Sequence, residues 1–411
     1  MMRDSSTGRR PTRRDYVKYG GALIGSGLFA GCTGNAGSEE TTETTAATTA
    51  TQTETETATE TATPEDDSYS VAMAPVGDVE FDSVPKSIFT RLTHLAGMAF
   101  ALGRGDDVNA MHAPDYYHAL WNQFTPHLDG VSVNWSGLYS SWKPSKEKLY
   151  ELDSDVHLAD PASVFALDKW SVDDLEEVDE NIGPWFGNSL SDTNKKPPSQ
   201  WADSYEYYGL WEMFEKVAAV FREEERYEAL AAVHEDLLST IESNLPDKQD
   251  RPTAVMALAS EITNPWVYKT DIPGFLSAHI RPLQAREALG EDVESGAKVD
   301  METLLEADPD VLFVLGGMST IADMKEVRST LKNDSVGSQL SAVQNGRVYA
   351  QGARYQGPIL NLFQLEMTAK QLYPDQFGEW PTYESGSYPD IPAEEQLFDR
   401  QHVANIINGE F

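Results

Sequence analysis

One stretch limits the fold more than any other. Residues 223–245 read as a single helix: Leu230, Val233, Leu237 and Ile241 recur at i, i+3, i+7 and i+11, with charged residues on the opposite side. At 1.5 Å per residue, ~22 residues make a rod of roughly 33 Å, about the width of a small domain. Asn244 and Pro246 supply the stop. A matching octapeptide lies on each side, Leu149-Tyr-Glu-Leu-Asp-Ser-Asp-Val156 before it and Leu304-Leu-Glu-Ala-Asp-Pro-Asp-Val311 after it; Leu, Glu, Asp, Asp and Val coincide at five of eight positions. In each copy a helix end runs through an acidic turn into an apolar strand, His157-Leu158-Ala159 or Leu312-Phe313-Val314. The expectation is two similar α/β units joined by one rigid helix.

The N-terminus reads as an address. Arg3, Arg9, Arg10, Arg13, Arg14 and Lys18 precede a short apolar run, Gly20 to Ala30, too short to span a bilayer. Thr12-Arg13-Arg14-Asp15-Tyr16-Val17-Lys18 resembles the twin-arginine export motif, with Tyr16 where that motif usually has Phe. Leu28-Phe29-Ala30-Gly31-Cys32 resembles a lipobox, in which the chain is cleaved before the cysteine and the cysteine is acylated. Cys32 is the only cysteine in the chain, so no disulfide, cysteine zinc site or iron–sulfur cluster can be built. Residues 1–31 are therefore read as a twin-arginine lipoprotein signal peptide and Cys32 as a lipid anchor. Residues 32–68, dominated by Thr, Glu and Ala, hold too few large apolar side chains to repay their ordering entropy, and read as a disordered tether extended by its own acidic charge. Its threonines are also candidates for O-glycosylation.

About 340 residues remain, more than one core usually holds. The formal charge is −36, and loss of residues 1–31, with six Lys/Arg and two Asp, leaves −40. Such a surplus argues against nucleic acid or an anionic membrane surface as the partner. It suits a protein kept soluble in concentrated salt, as in a salt-adapted, haloarchaeal-like organism, because salt screens repulsion between carboxylates.

Tyr69 to Glu80 reads as an edge strand or hairpin. Ile88–Leu92 is a short strand, Thr93 a cap for a helix over Leu95–Leu102, and Gly103 its close. Val108–Met111, Val131–Val133 and Val156–Leu158 read as further strands. Strands alternating with helices indicate mostly parallel sheets, hence an α/β fold of two Rossmann-like lobes joined by a single long helix. The first lobe spans residues 69–222, the interlobe helix 223–245, the second lobe 246–377, and an extension 378–411 carries a helix over Glu394–Ile407. Trp170–Tyr208 breaks the rhythm as a long irregular insertion rich in aromatics. In the second lobe Thr253–Ser260 reads as a strand, Asn264–Tyr268 as a loop, Phe275–Leu289 as a helix, Met301–Glu306 as a helix, Val311–Leu315 and Arg347–Ala350 as strands, and Leu360–Tyr373 as the closing helix. Ligands in open α/β sheets sit beyond the carboxyl ends of strands. Here those ends are Arg91–His94, His112–Tyr117, Asn134–Trp142 and Asp160–Ser163.

Three motifs in this order carry a resemblance. Ser83-Val84-Pro85-Lys86-Ser87-Ile88 followed by Ala101-Leu102-Gly103, the run Val299–Val311, and Leu340-Ser-Ala-Val-Gln-Asn-Gly-Arg-Val-Tyr349 are similar to segments of the class III substrate-binding proteins of ABC importers, the ferric-siderophore and cobalamin group. The similarity covers roughly Tyr69–Phe377; the insertion and the extension depart from it. The resemblance implies two lobes, a ligand between them, and delivery to a membrane permease and through it an ATPase. It implies a monomeric, extracytoplasmic binding protein, not an enzyme, held on the outer face of the membrane.

The residues agree with that expectation. No nucleophile triad, phosphate loop or HExxH is present. A bulky, oxygen-rich metal chelate needs flat walls and a few cations. Trp135, Trp142, Trp185, Trp266 and Tyr355 are candidates for walls, Arg91 and Arg354 for paired donors, and His94 and His112 lie at the same strand ends. The plain alternative is core packing for each aromatic and a surface salt bridge for each arginine. No cofactor is expected beyond the chelate. A rival reading is direct zinc- or manganese-type capture by His94, His112, His157, Asp160 and His279, and a second is a cell-surface hydrolase using paired carboxylates.

Overall fold

A computed structural model describes residues 67–320 and 322–411. The signal motifs, Cys32 and nearly all of the tether lie outside the described residues. Strands β1 (Tyr69–Met73) and β2 (Gly77–Phe81) form the expected antiparallel hairpin. The first lobe's sheet contains β3 (Ile88–Thr90), β4 (Val108–Met111), β5 (Tyr139–Ser140) and β6 (Val156–Leu158), all parallel, in the order β5-β4-β3-β6. The second lobe's sheet is built from β7 (Thr253–Leu258), β8 (Trp266–Tyr268), β9 (Arg286–Glu287), β10 (Ala297–Lys298), β11 (Val311–Leu315) and β12 (Val348–Ala350). Its order is β10-β8-β7-β11-β12 with β9 also on β7; β8 alone runs against its neighbours β7 and β10, and the remaining pairs are parallel. The helix Glu224–Asn244 joins the two lobes along the chain and buries Leu230, Leu237 and Ile241, while Val233 is only partly covered.

The repeated octapeptides are the same device used twice. Ser145 caps the helix Lys146–Leu152, and Asp300 caps Met301–Ala307, each accepting from the amide three residues on. Leu149 and Leu304 are wholly buried. Asp153 and Asp308 both end their helices in the left-handed region, at φ 45° and 35°. The second acid then reaches the start of the neighbouring strand. Asp155 Oδ2 accepts from the amides of Lys86 (2.9 Å) and Ser87 (3.1 Å) before β3, and Asp310 Oδ2 from the amide and hydroxyl of Thr253 (both 2.8 Å) on β7. Each acidic turn therefore sets the register of a parallel strand pair.

Several local expectations are corrected. Val131–Val133 forms no strand; Val133 and Trp135 turn into the core, and the pairing with β4 is made by Tyr139–Ser140. Thr93 lies in the first turn of the helix Thr93–Ala101, whose cap is Leu92. The insertion is less irregular than its composition implies, since Ser171 and Asp174 form a capping box that starts a helix over Val172–Asn181. Trp266–Tyr268 is a strand. Phe275–Leu289 is no continuous helix but two 3₁₀ turns and β9; Arg281 Nη1 donates to the carbonyls of Ile272 (3.0 Å) and Gly274 (2.9 Å), and Pro282 supplies no amide donor. The last helix covers Arg400–Asn408.

Every residue of the helix Pro358–Leu372 is buried. It meets the first lobe where Gly357 faces Gly97, so closely that a Cβ on Gly97 would lie 2.8 Å from the Gly357 Cα. Near the start of the long helix, Arg222 stacks on Tyr69 at 4.3 Å and Arg226 on Phe411 at 5.9 Å.

Candidate functional site

The chain leaving β3 turns into helix Thr93–Ala101 and sets Arg91 and His94 at the seam between the lobes. Arg91 is 4% exposed; its Nη1 donates to Ser163 Oγ at 2.6 Å, and its guanidinium lies 5.4 Å from the centre of the Trp142 ring. Trp142, 42% exposed, stacks on His112 at 4.5 Å. His94 is wholly buried against second-lobe rings, 4.4 Å from Phe275 and 5.8 Å from Tyr355. From that lobe Arg354 lies over Tyr268 at 3.9 Å, and the Tyr355 hydroxyl donates to Asp192 Oδ2 at 3.3 Å. The Tyr116 hydroxyl reaches Ser319 across the same seam.

The insertion forms part of this site. Asp160 caps the helix Pro161–Phe165 and also accepts from the Ser189 amide (2.8 Å) and the Tyr205 hydroxyl (2.6 Å). Burial pushes the Asp160 carboxyl upward, against the pull of these donors. So anchored, the insertion carries Asp192 to Tyr355 and lies against Gly274, where any Cβ would fall 2.3 Å from the Asp192 carbonyl oxygen.

The seam's electrostatics are set by dryness. Burial lowers the pKa of both Arg91 and Arg354 and pushes His94 down to about 3. His112 is also lowered, by burial and then by the charge of Arg91. Both ring nitrogens of His94, Nδ1 of His112 and Nε of each arginine are buried without a hydrogen-bond partner. Leaving such atoms unpaired costs ~1–3 kcal/mol each, and their concentration makes this seam the candidate site among the described residues.

A chain of donors fixes a further group. The Trp211 indole N–H, which can only donate, gives to Asn361 Oδ1 at 2.9 Å. Asn361 must then present its nitrogen to Gln356 Oε1 (3.0 Å), which also accepts from Gln364 Nε2 (3.0 Å). Gln356 in turn gives its amide to His279 Nδ1 at 2.8 Å. With His279 pushed down to about 3, chiefly by burial and then by the charge of Arg354, its ring is neutral and carries the proton on Nε2, buried and unpartnered. Nothing local in sequence announces this arrangement, since Trp211 and Asn361 are 150 residues apart.

The structure thus gathers Arg91, His94, His112, Trp142, Arg354 and Tyr355. It adds Phe275, Tyr116, Ser319 and Asp192, which sequence reasoning missed. Trp266 is 42% exposed on β8, two residues from the Tyr268 that seats Arg354, and so on the same strand face. Two proposed walls are core residues instead. Trp135 is wholly buried against Trp121 (5.2 Å) and Phe100 (6.0 Å), and Trp185, 3% exposed, donates to the Leu175 carbonyl in a separate apolar cluster. His157 is likewise core, between Phe89 and Trp185. Among the described residues, no three His, Cys, Asp or Glu side chains converge to hold a metal ion.

A profile described as periplasmic binding protein matches residues 140–355. No curated protein matches the chain. Among solved structures it is similar to the iron uptake ABC transporter substrate-binding protein PiuA of Streptococcus pneumoniae (TM-score 0.51, 19% identity, covering 74% of this chain and 97% of that one). It is also similar to a periplasmic solute binding protein of Veillonella parvula (TM-score 0.53, 16% identity, 84% and 100%). A third is Helicobacter pylori CeuE with Ni(II) bound (TM-score 0.50, 13% identity, 75% and 90%). At these identities the likeness is one of fold.

Proposed function

This chain belongs to the periplasmic binding protein family, and on that premise we propose that it is the extracytoplasmic binding component of an ABC importer that captures an iron(III)–siderophore or cobalamin-type chelate between its lobes. It hands the chelate to a membrane permease and, through it, to the ATPase. A lipid on Cys32 holds it at the outer face of the membrane. One observation carries the ligand reading: Arg91, buried, and Arg354, half-buried, come one from each lobe, each with a buried, unpartnered Nε beside the flat rings of Trp142, Tyr268 and Tyr355. Guanidinium groups in dry surroundings favour the clustered anionic oxygens of a hydroxamate or catecholate chelate. Direct metal capture is less well supported, because the histidines first considered for it are divided between the core and the seam.

Titration of the protein with a ferric hydroxamate, a ferric catecholate and cobalamin tests the proposal. An anionic chelate is expected to bind, and to lose about ten- to hundredfold in affinity in Arg91→Ala or Arg354→Ala, the value of one charge-assisted hydrogen bond, with the loss shrinking in high salt. Preference for neutral cobalamin would leave the arginines nearly silent. Failure of all three to bind at micromolar concentration overturns the assignment. The anchor is tested separately by Cys32→Ser, which is expected to release the protein into the medium.

A further inference from the structure

The extension Gly378–Phe411 belongs neither to the seam nor to the matched part of the family. It begins on the second lobe, where Tyr383 accepts from Arg328 Nη1 (2.8 Å) and Glu384 from the Met324 amide (3.0 Å), both through their carbonyls. It then turns through the exposed residues 384–387 and reaches Tyr388, which is 2% exposed. The Tyr388 amide donates to the Gln123 carbonyl at 2.7 Å, and His127 Nε2 donates to the Tyr388 carbonyl at 2.7 Å; both partners belong to the first lobe. The Tyr388 hydroxyl, in contrast, donates to Glu366 Oε1 at 2.7 Å. Glu366 sits on the buried helix Pro358–Leu372, tied to the second lobe's sheet by Gln371 Nε2 to the Ala350 carbonyl (3.2 Å) and by Gln351 Nε2 to Gln371 Oε1 (2.7 Å).

The carboxylate of Glu366 is completed by Arg400 Nη2 (2.6 Å) and the Leu397 amide (2.7 Å), and Arg400 lies over Phe363, Tyr388 and Phe398. The terminal helix then lies along the long interlobe helix, and Asn408 Nδ2 donates to the Asp129 carbonyl at 3.1 Å. The chain therefore passes between the lobes twice, once in the long helix and again in the extension.

We propose that the extension is an interlobe clamp that holds the angle between the lobes, with Tyr388 as its pin. A single helical bridge leaves the lobes one bending motion, and a second crossing adds its contacts at Tyr388 to the packing of Gly357 on Gly97 that already opposes that motion. Its backbone is held by the first lobe and its hydroxyl by a helix that is tied to the second lobe's sheet and also packs on the first lobe through Gly357 and Phe363, so movement of that helix with the second lobe pulls the residue in two directions. Opening then proceeds by release of Tyr388 from one side, and the lobes otherwise move by no more than a few ångströms.

The test needs no ligand and does not depend on the chelate reading. Hydrogen exchange is measured on the full chain for wild type and Tyr388→Phe, which removes the hydroxyl but leaves Glu366 paired with Arg400 and Leu397. Seam amides in residues 91–95, 275–279 and 354–356 are expected to exchange roughly tenfold faster, the weight of about one buried hydrogen bond, while those of β7 and β11 keep their rates. Unchanged seam rates overturn the clamp, and so does acceleration spread evenly over seam and sheets, which would mean simple loss of stability. Should Tyr388→Phe not fold, Asn408→Ala severs only the exposed link to Asp129 and is read the same way, with about threefold expected at the seam and no change there overturning the proposal.

Discussion

His94 and His279 at the seam, and His157 and His234 elsewhere, are neutral in the folded protein, pushed by burial to about 3, 3, 4 and 4 respectively. An unfolded histidine takes its proton near pH 6.5. Between that value and about 4 the unfolded chain therefore binds protons that the folded one refuses. The stabilisation is complete above pH 6.5 and lost as pH falls. Asp160 and Glu287, raised by burial, act in the opposite sense but are fewer. Melting temperature is expected to drop steadily from pH 7 to pH 4; a flat profile would show that these rings are hydrated. The two kinds of tryptophan separate just as sharply. Trp142→Ala removes an exposed wall and is expected to weaken ligand binding with little effect on melting. Trp135→Ala opens the first core and is expected to cost ~3–5 kcal/mol in a denaturant titration. Composition did not distinguish these residues, because an aromatic beside a strand end serves core and cleft equally well. Arg91, His94 and Arg354 were legible because strand ends in open α/β sheets converge, whereas the state of His279 depends on a tryptophan in another element.

Secondary elements were legible where capping chemistry is local. The long helix, the hairpin and both octapeptide turns follow from stripes, acids and stops within a few residues. The helix Met324–Asn333 carries a local start signal, since Asp323 caps it and Glu326 follows three residues on. The helix expected over Phe275–Leu289 is broken into short 3₁₀ turns, with Pro282 supplying no amide donor and Arg281 reaching back to the carbonyls of Ile272 and Gly274 just before the segment. The paired turns allow a matched experiment. Asp155→Ala and Asp310→Ala each remove a carboxylate that holds the start of a neighbouring strand, and each is expected to cost ~1 kcal/mol, reduced by partial exposure. Equal losses in the two lobes would confirm that the turns do the same work. A loss confined to one would mean that the other repeat is only a likeness of letters.

At the scale of the molecule, the charge of −36 is the dominant fact. Repulsion between carboxylates reaches ~30 Å at 0.01 M salt but only ~3 Å at 1 M, so melting temperature is expected to rise between those conditions. A value independent of salt would mean that the acids are neutralised in pairs. The two-lobed plan was readable from the octapeptides and the long helix, but the second crossing was not, because the acceptors of Tyr388 lie far away in sequence on both lobes. A quieter feature has its own consequence. Tyr69 and Phe411 rest under Arg222 and Arg226, four residues apart along the chain. A short linker joining them would turn the folded part into a ring, and that ring could be reopened at the exposed turn over residues 290–292. To such a circular permutant the point at which the chain is cut is immaterial: the seam, the long helix and the second crossing are properties of the closed curve.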